Sequence, residues 1–239
     1  MGERAIRWLC DPASEVSAHY VVDEAGGVTQ LVPEHRRAWH AGRASWAGES
    51  DVNSASIGIE IANPGHWWDL AGMPDRDPAA PVEHHPGYGD FPEAQVAAVI
   101  ALAGDVVRRH GIPAARILAH SDVAPGRKRD PGEKFPWDRL AAAGLGLWVA
   151  PTEIAVGGPG RDLAEGERSP PVAALQTMLA SLGYGIEADG VYDAATAEVV
   201  TAFQRHWRPQ RVDGIADRAT VATLMRLLSA RAAAGEAGA

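Results

Sequence analysis

The segment from His120 to Trp137 constrains this chain more than any other. A short apolar run, Ile117-Leu118-Ala119, opens into a loop fixed by Pro125, Gly126, Pro131, Gly132 and Pro136. An apolar run bounded by turn residues reads as a buried strand, and proline and glycine leave the following loop few backbone conformations. That loop carries His120, Lys128 and Asp130. In open α/β sheets the loop leaving the carboxyl end of a strand is where ligands and catalytic groups collect. A histidine and a carboxylate ten residues apart suit a zinc site built from nitrogen and oxygen donors. The bland alternative is a charged surface loop. It suits any one of these residues alone better than it suits all three in so rigid a frame.

The chain has 239 residues, long for one average domain and suited to one medium domain followed by a small one. Its formal net charge of −9 argues against nucleic acid and anionic lipid as main partners. Cys10 is the single cysteine, so no disulfide can form within the chain and a thiol-rich metal site is excluded. No apolar run reaches the roughly 18 residues of a membrane-spanning helix. Glu3 to Cys10 reads as an amphipathic helix with Ile6 and Leu9 on one face, not as a signal peptide.

Two strands, Ser17 to Val22 and Val28 to Val32, are expected as a hairpin across Asp23-Glu24-Ala25-Gly26-Gly27. Ser56 to Ala62 alternates, with Ile57, Ile59 and Ile61 on one face and Glu60 among small residues on the other. Gly65 to Asp90 reads as a long loop, and Pro92 to His110 as the main helix, ended by Gly111 and Pro113. Its apolar stripe is Val96, Val99, Ile100, Ala103, Val106 and Val107. A short helix from Asp138 to Ala143 follows. The fold class is therefore α/β for residues 1–150, a central mixed β-sheet flanked by helices. A linker is expected over 151–170, a small all-α domain of three helices over 171–230 and a disordered tail over 231–239. The small domain repeats itself. Asp189-Gly190-Val191-Tyr192-Asp193 with Thr196 is echoed by Asp213-Gly214-Ile215-Ala216-Asp217 with Thr220, each copy an Asp-Gly turn followed by an Asp that suits a helix N-cap. Phe203, Tyr184, Tyr192 and Trp207 are expected in its core.

His120-Ser121-Asp122-Val123-Ala124-Pro125-Gly126-Arg127-Lys128 with Asp130-Pro131-Gly132 resembles the zinc N-acetylmuramoyl-L-alanine amidases of the AmpD kind, the superfamily of the animal peptidoglycan recognition proteins. Val16 to Tyr20, Ala38-Trp39-His40-Ala41-Gly42, and Asn53 with Ser56 to Glu60 match in the same order, so the resemblance spans nearly all of residues 3–148. The tail resembles a three-helix peptidoglycan-binding domain at Leu175-Gln176, Gly183-Tyr184, Asp189-Gly190, Phe203-Gln204 and Asp213-Gly214. The resemblance implies zinc (Zn2+) as cofactor, with His120 and Asp130 as two of its three ligands. It implies Glu60 as the carboxylate that activates water, Lys128 as the stabiliser of the oxyanion, and His40, Arg127 and Asn63 as substrate-binding residues. The reaction implied is hydrolysis of the amide between N-acetylmuramic acid and the L-alanine of the stem peptide, in peptidoglycan or in soluble muropeptides.

The family's first zinc histidine sits at the end of an opening strand, and this chain has no counterpart to it. The expectation is that Met1 is not the natural start; His19 or His40 is the available stand-in. The alternative reading is a catalytically impaired peptidoglycan-binding protein, and a third is a zinc peptidase acting on the stem peptide. Asp122 reads as a turn-former or a support to the ligands. Trp67-Trp68 suit a glycan cleft or a hydrophobic lid, while His66, His84 and His85 read as polar loop residues. The chain is expected to be a monomer and to work in the cell envelope or periplasm, with the cytoplasm as the alternative.

Overall fold

A computed structural model describes residues 1–65, 89–153 and 161–235. Trp67, Trp68, His66, His84 and His85 lie outside the described residues. Helix α1 spans Gly2–Leu9 and is followed by strand β1, Tyr20–Val22, and strand β2, Val28–Gln30. The two strands pair antiparallel, Tyr20 opposite Gln30 and Val22 opposite Val28. Asp23 builds the turn between them: its Oδ1 accepts the N–H of Ala25 at 2.9 Å and of Gly27 at 2.7 Å, and Gly26 supplies the positive φ of 86°. A short helix α2, Val52–Ala55, leads to strand β3, Ile59–Ile61, which pairs parallel with β1 and sets Glu60 beside Val21. The described sheet is thus mixed, in the order β2-β1-β3. Its central strand is the one made wholly of large apolar or aromatic residues, and all three of them are buried.

Helix α3, Glu93–His110, packs Val96, Val99, Ala103 and Val106 inward and ends at Gly111 in the left-handed conformation. Gln95 clips its first turn to the sheet: the side-chain amide donates to the carbonyls of Val22 at 3.2 Å and Ala62 at 2.9 Å. The hairpin and main helix follow the sequence expectation. The strand expected at Ile117-Leu118-Ala119 does not. Ile117 and Ala119 are extended, with φ/ψ of −98°/108° and −78°/155°, but join no sheet among the described residues. The reason is spatial. β3 is the last strand of the described sheet, and a cavity lies between it and the 117–119 segment. Helix α4, His120–Val123, and helix α5, Trp137–Ala142, complete this half.

The second half is all helical: α6 (Pro170–Leu182), α7 (Ala194–Trp207) and α8 (Arg218–Ala233). The internal repeat seen in the sequence is a repeat of hydrogen bonds. Asp193 and Asp217 cap α7 and α8, each accepting the N–H three residues on, from Thr196 and Thr220, at 2.8 Å. Gln176 and Gln204 play one role in the two copies. Each side-chain NH2 lies within hydrogen-bond distance of the Asp of its Asp-Gly turn, of a carbonyl two residues beyond it and of the Thr in the capped first turn, while its oxygen accepts the glycine N–H of that turn.

Two expected boundaries shift. Residues 161–169, placed in the linker, are paired with the helical domain: Leu163 and Ala216 exchange backbone hydrogen bonds at 3.1 and 2.9 Å, and Tyr192 donates to the Glu167 carbonyl at 2.7 Å. Residues 231–233, placed in the disordered tail, continue α8, because Arg231 donates to the last carbonyls of α6, Ser181 at 2.6 Å and Leu182 at 3.1 Å. The halves also share one apolar core, in which Ala41, Trp46, Val123 and Ala124 pack with Leu179, Val199, Val200, Phe203 and Trp207. Trp46 meets Tyr184 edge-on with ring centroids 5.0 Å apart, and Trp207 donates its indole N–H to the Leu147 carbonyl at 2.9 Å.

Candidate active site

A cavity of about 280 Å³ runs along the edge of β3 that has no strand partner among the described residues. Ile59, Ile61, Val99, Val106, Ile117 and Leu118 make its wall apolar, and His40, Glu60, His120 and Asp130 supply its polar part. Three different structures deliver Glu60, His120 and Asp130. Glu60 comes from the middle of β3, His120 opens α4, and Asp130 stands in the turn-rich loop ten residues on. The loop is tied back to the helix by its backbone, with the Ser121 N–H donating to the Asp130 carbonyl at 3.1 Å and the Lys128 N–H to the Ala124 carbonyl at 3.0 Å.

His120 is oriented by what its far nitrogen meets. Nε2 lies 3.1 Å from the Ala41 carbonyl, an acceptor only, so Nε2 carries the proton and Nδ1 is turned to Asp130 Oδ2 at 2.9 Å. Nδ1 and Oδ2 share a hydrogen bond at this distance, and both are atoms of the kind that bind a zinc ion. Asp130 is held below the usual carboxylate range: desolvation in the cleft pulls it up, but the His120 hydrogen bond and the charges of His120 and Lys128 outweigh that. Glu60 shifts the other way. Burial raises it first and the neighbouring Asp130 raises it further, against the smaller opposing pull of His120 and Lys128. Two carboxylates in one cleft therefore differ in proton affinity, the pattern that separates an acid–base group from one that stays ionised.

The turn at 38–43 supports the cleft. Asn53, buried, accepts the N–H of His40 at 3.0 Å and of Ala41 at 2.8 Å. Arg127 donates to the Arg43 carbonyl at 3.1 Å and to that of Ala41. Its guanidinium thus braces the carbonyl that orients His120. Asn63, also expected to bind substrate, does not line the cavity. Its amide bonds Gly65 at 2.9 Å and Gly89 at 3.4 Å instead. Sequence reasoning placed Asn53 in a matched motif without giving it a task; its signal was an Asn beside the alternating strand.

Of the two stand-in ligands, the hydrogen bonds exclude His19. His19 uses both nitrogens, with Nδ1 accepting the Gly58 N–H at 3.0 Å and Nε2 bonded to the Arg36 carbonyl at 3.0 Å, and has no lone pair to offer a metal. His40 does line the cavity. Its Nε2 is 2.9 Å from Ser56 Oγ, whose own proton goes to Val52, and its Nδ1 is buried without a partner among the described residues. Burial, with the charges of His19 and His120 adding to it, lowers His40 to about 4, so the ring is neutral near pH 7. A side chain on Gly58 would collide with that ring. Yet among the described residues no three of His, Cys, Asp and Glu are grouped as a metal would need. His120 and Asp130 fit a zinc ion as two of its donors, whereas a catalytic zinc takes three protein ligands and a water.

An acid–base carboxylate beside an oriented histidine–carboxylate pair, at the end of a partly apolar cavity in an α/β domain, is the arrangement of a hydrolase. Residues 1–133 match the family of N-acetylmuramoyl-L-alanine amidases, and residues 168–224 match a family of peptidoglycan binding domains. This chain belongs to the N-acetylmuramoyl-L-alanine amidase family. It is 36% identical over 222 residues to the amidase AmiD of Escherichia coli (strain K12), covering 90% of this chain and 74% of that protein. It is 33% identical over 127 residues to the 1,6-anhydro-N-acetylmuramyl-L-alanine amidase AmpD of Enterobacter cloacae, covering 53% of this chain and 56% of that one. Among solved structures, the E. coli AmiD complex with anhydro-N-acetylmuramic acid-L-Ala-D-gamma-Glu-L-Lys superposes with a TM-score of 0.74 at 33% identity, over 95% of this chain and 84% of that one. AmpDh3 of Pseudomonas aeruginosa with anhydromuramic pentapeptide follows at a TM-score of 0.70 and 31% identity, over 93% and 85%.

Proposed function

We propose that this chain hydrolyses the amide bond between N-acetylmuramic acid and L-alanine in muropeptides or peptidoglycan, with zinc as its cofactor. The observation that carries the reading is the meeting of Glu60, His120 and Asp130 at one cavity, in a fold shared with amidases solved with anhydromuramyl peptides. His120 through Nδ1 and Asp130 through its carboxylate would hold the zinc. When bound, zinc lowers the pKa of water to about 7 and polarises a carbonyl.

The chain's own residues do the rest. Glu60, with its raised proton affinity, takes a proton from the attacking water at its carboxylate and returns it to the departing amine of L-alanine. Lys128 sets a fixed positive charge near Glu60 and Asp130, where the carbonyl oxygen becomes negative. Ala41 and Arg127 hold His120 in the productive tautomer. The helical domain supports action on the wall itself and hence in the cell envelope; fractionation of cells with an antibody to this chain tests the location.

Function is tested by incubating the zinc-supplemented protein with an anhydromuramyl tripeptide and following the products by mass spectrometry. The expected outcome is a free anhydromuramic acid and a free tripeptide, cut at the lactyl–alanine amide. Binding without turnover, or cleavage within the peptide, overturns the reading.

A further inference from the structure

A fully buried polar contact joins the two halves of the molecule. His206 of α7 and Asp122 of α4 are both fully buried, and His206 Nδ1 lies 2.6 Å from Asp122 Oδ2. The Tyr184 hydroxyl, also from the helical half, donates to Asp122 Oδ1 at 2.9 Å. Asp122 in turn accepts the backbone N–H of Ala119 at 2.8 Å, the bond that caps the helix opened by His120. The imidazole of His206 is clamped between two indoles, Trp137 at 3.8 Å and Trp207 at 3.7 Å between ring centroids, so it has little freedom to turn.

A buried carboxylate needs partners, and two of the three that Asp122 has come from the helical half. Helix α4 is only four residues long and cannot hold itself together. Its position also sets both proposed zinc ligands: His120 stands at its first position, and its Ser121 N–H carries the Asp130 carbonyl. A second touch point lies further along the same loop, where a side chain on Gly126 would collide with the Glu198 carboxylate of α7.

We infer that His206 is a positioning residue for the active site: acting through Asp122, the C-terminal domain fixes the helix that presents His120 and ties down Asp130. The domain is then a structural part of the catalytic unit as well as a wall-binding module. This inference rests on the reading of His120 and Asp130 as working residues, but its first test needs neither metal nor turnover.

That test is residue-resolved amide hydrogen exchange on the metal-free full chain, comparing wild type with His206→Phe, His206→Asn and Tyr184→Phe. Phenylalanine keeps a ring between the two indoles and removes the Nδ1 donor; asparagine places an amide near the same spot. His206→Phe should speed exchange at Ala119 and Ser121 by at least about tenfold, equivalent to about 1.4 kcal/mol of local protection. Core amides of α7 and α8, such as Phe203 and Leu224, should stay at wild-type protection. His206→Asn should recover most of the difference, and Tyr184→Phe should show a smaller effect in the same direction. In the active enzyme, kcat on a soluble muropeptide should fall by on the order of 10- to 100-fold with KM nearly unchanged, as expected of a small displacement of reacting groups. Unchanged exchange at Ala119 and Ser121 overturns the inference. So does loosening of α7 and α8 in step with the loop, since that is what a purely structural contact would give. Wild type without turnover on muropeptides would remove the functional reading while leaving the exchange result to stand by itself.

Discussion

The carbonyl of Ala41 and the imidazole of His120 face each other at 3.1 Å across 79 residues of chain, and this contact decides which ring nitrogen is offered to Asp130. Arg127 braces the same carbonyl, and Asn53 holds the Ala41 N–H at 2.8 Å. The proposed metal site is thus aimed by backbone groups that a list of ligands would omit.

Zinc binding should be weak in this chain and should depend on both donors. Two protein ligands of the usual three among the described residues predict less than one tightly held ion after gel filtration in metal-free buffer, measured by elemental analysis. His120→Ala and Asp130→Ala should each remove what remains. Stoichiometric zinc that survives His120→Ala would show that the metal sits elsewhere.

Glu60 and Lys128 lie outside the donor pair, so their loss should spare metal while removing chemistry. Turnover of an anhydromuramyl peptide should drop by roughly 10²–10⁴-fold in Glu60→Ala. Lys128→Ala should lose on the order of 10²–10³-fold. Metal content measured on the same samples separates the two effects. Near-normal turnover in Glu60→Ala would end its assignment as the proton carrier.

The repeated glutamines make a matched pair for stability. Gln176→Leu or Gln204→Leu strands a buried glycine N–H and several acceptors, at roughly 1–3 kcal/mol for each unsatisfied group. Urea unfolding of either variant should show a midpoint shift of similar size, because the two networks are copies. A large loss in one and none in the other would mean that one turn is held by something else.

Acid should weaken the first half through Glu34. Arg109 grips both of its oxygens and holds the carboxyl well below the usual range; burial opposes this, and His110 and Tyr20 add to the lowering. A group depressed in the folded state contributes stability that is complete above its unfolded pKa, about 4.3, and fades as pH falls toward the folded value. Glu34→Gln should lower stability near pH 7 by about 1 kcal/mol, the scale of a partly exposed bidentate pair, and should flatten the decline below about pH 4.3. Tm measured from neutral to acid pH checks both parts. An unchanged acid limb in Glu34→Gln would show that other carboxylates control it.

Much of this protein was legible in order of residues alone. The Asp23 to Gly27 turn, the α3 stripe ending at Gly111 and the Asp193 and Asp217 caps are local matters, set by φ preference, helical period and side chains that reach a few residues along the chain. Glu60, His120 and Asp130 were legible because each sits in a dense motif. Other points were not. That His19 spends both nitrogens on backbone, that Arg127 braces a carbonyl and that Ile117 to Ala119 lies extended without a sheet partner depend on what stands opposite in space. The union of the halves belongs with these. Asp122 and His206 are 84 residues apart, and a buried polar pair leaves no period, spacing or composition for a reader to find. Local preference follows from the covalent chain, whereas desolvation and the partners it demands exist only once distant segments have packed.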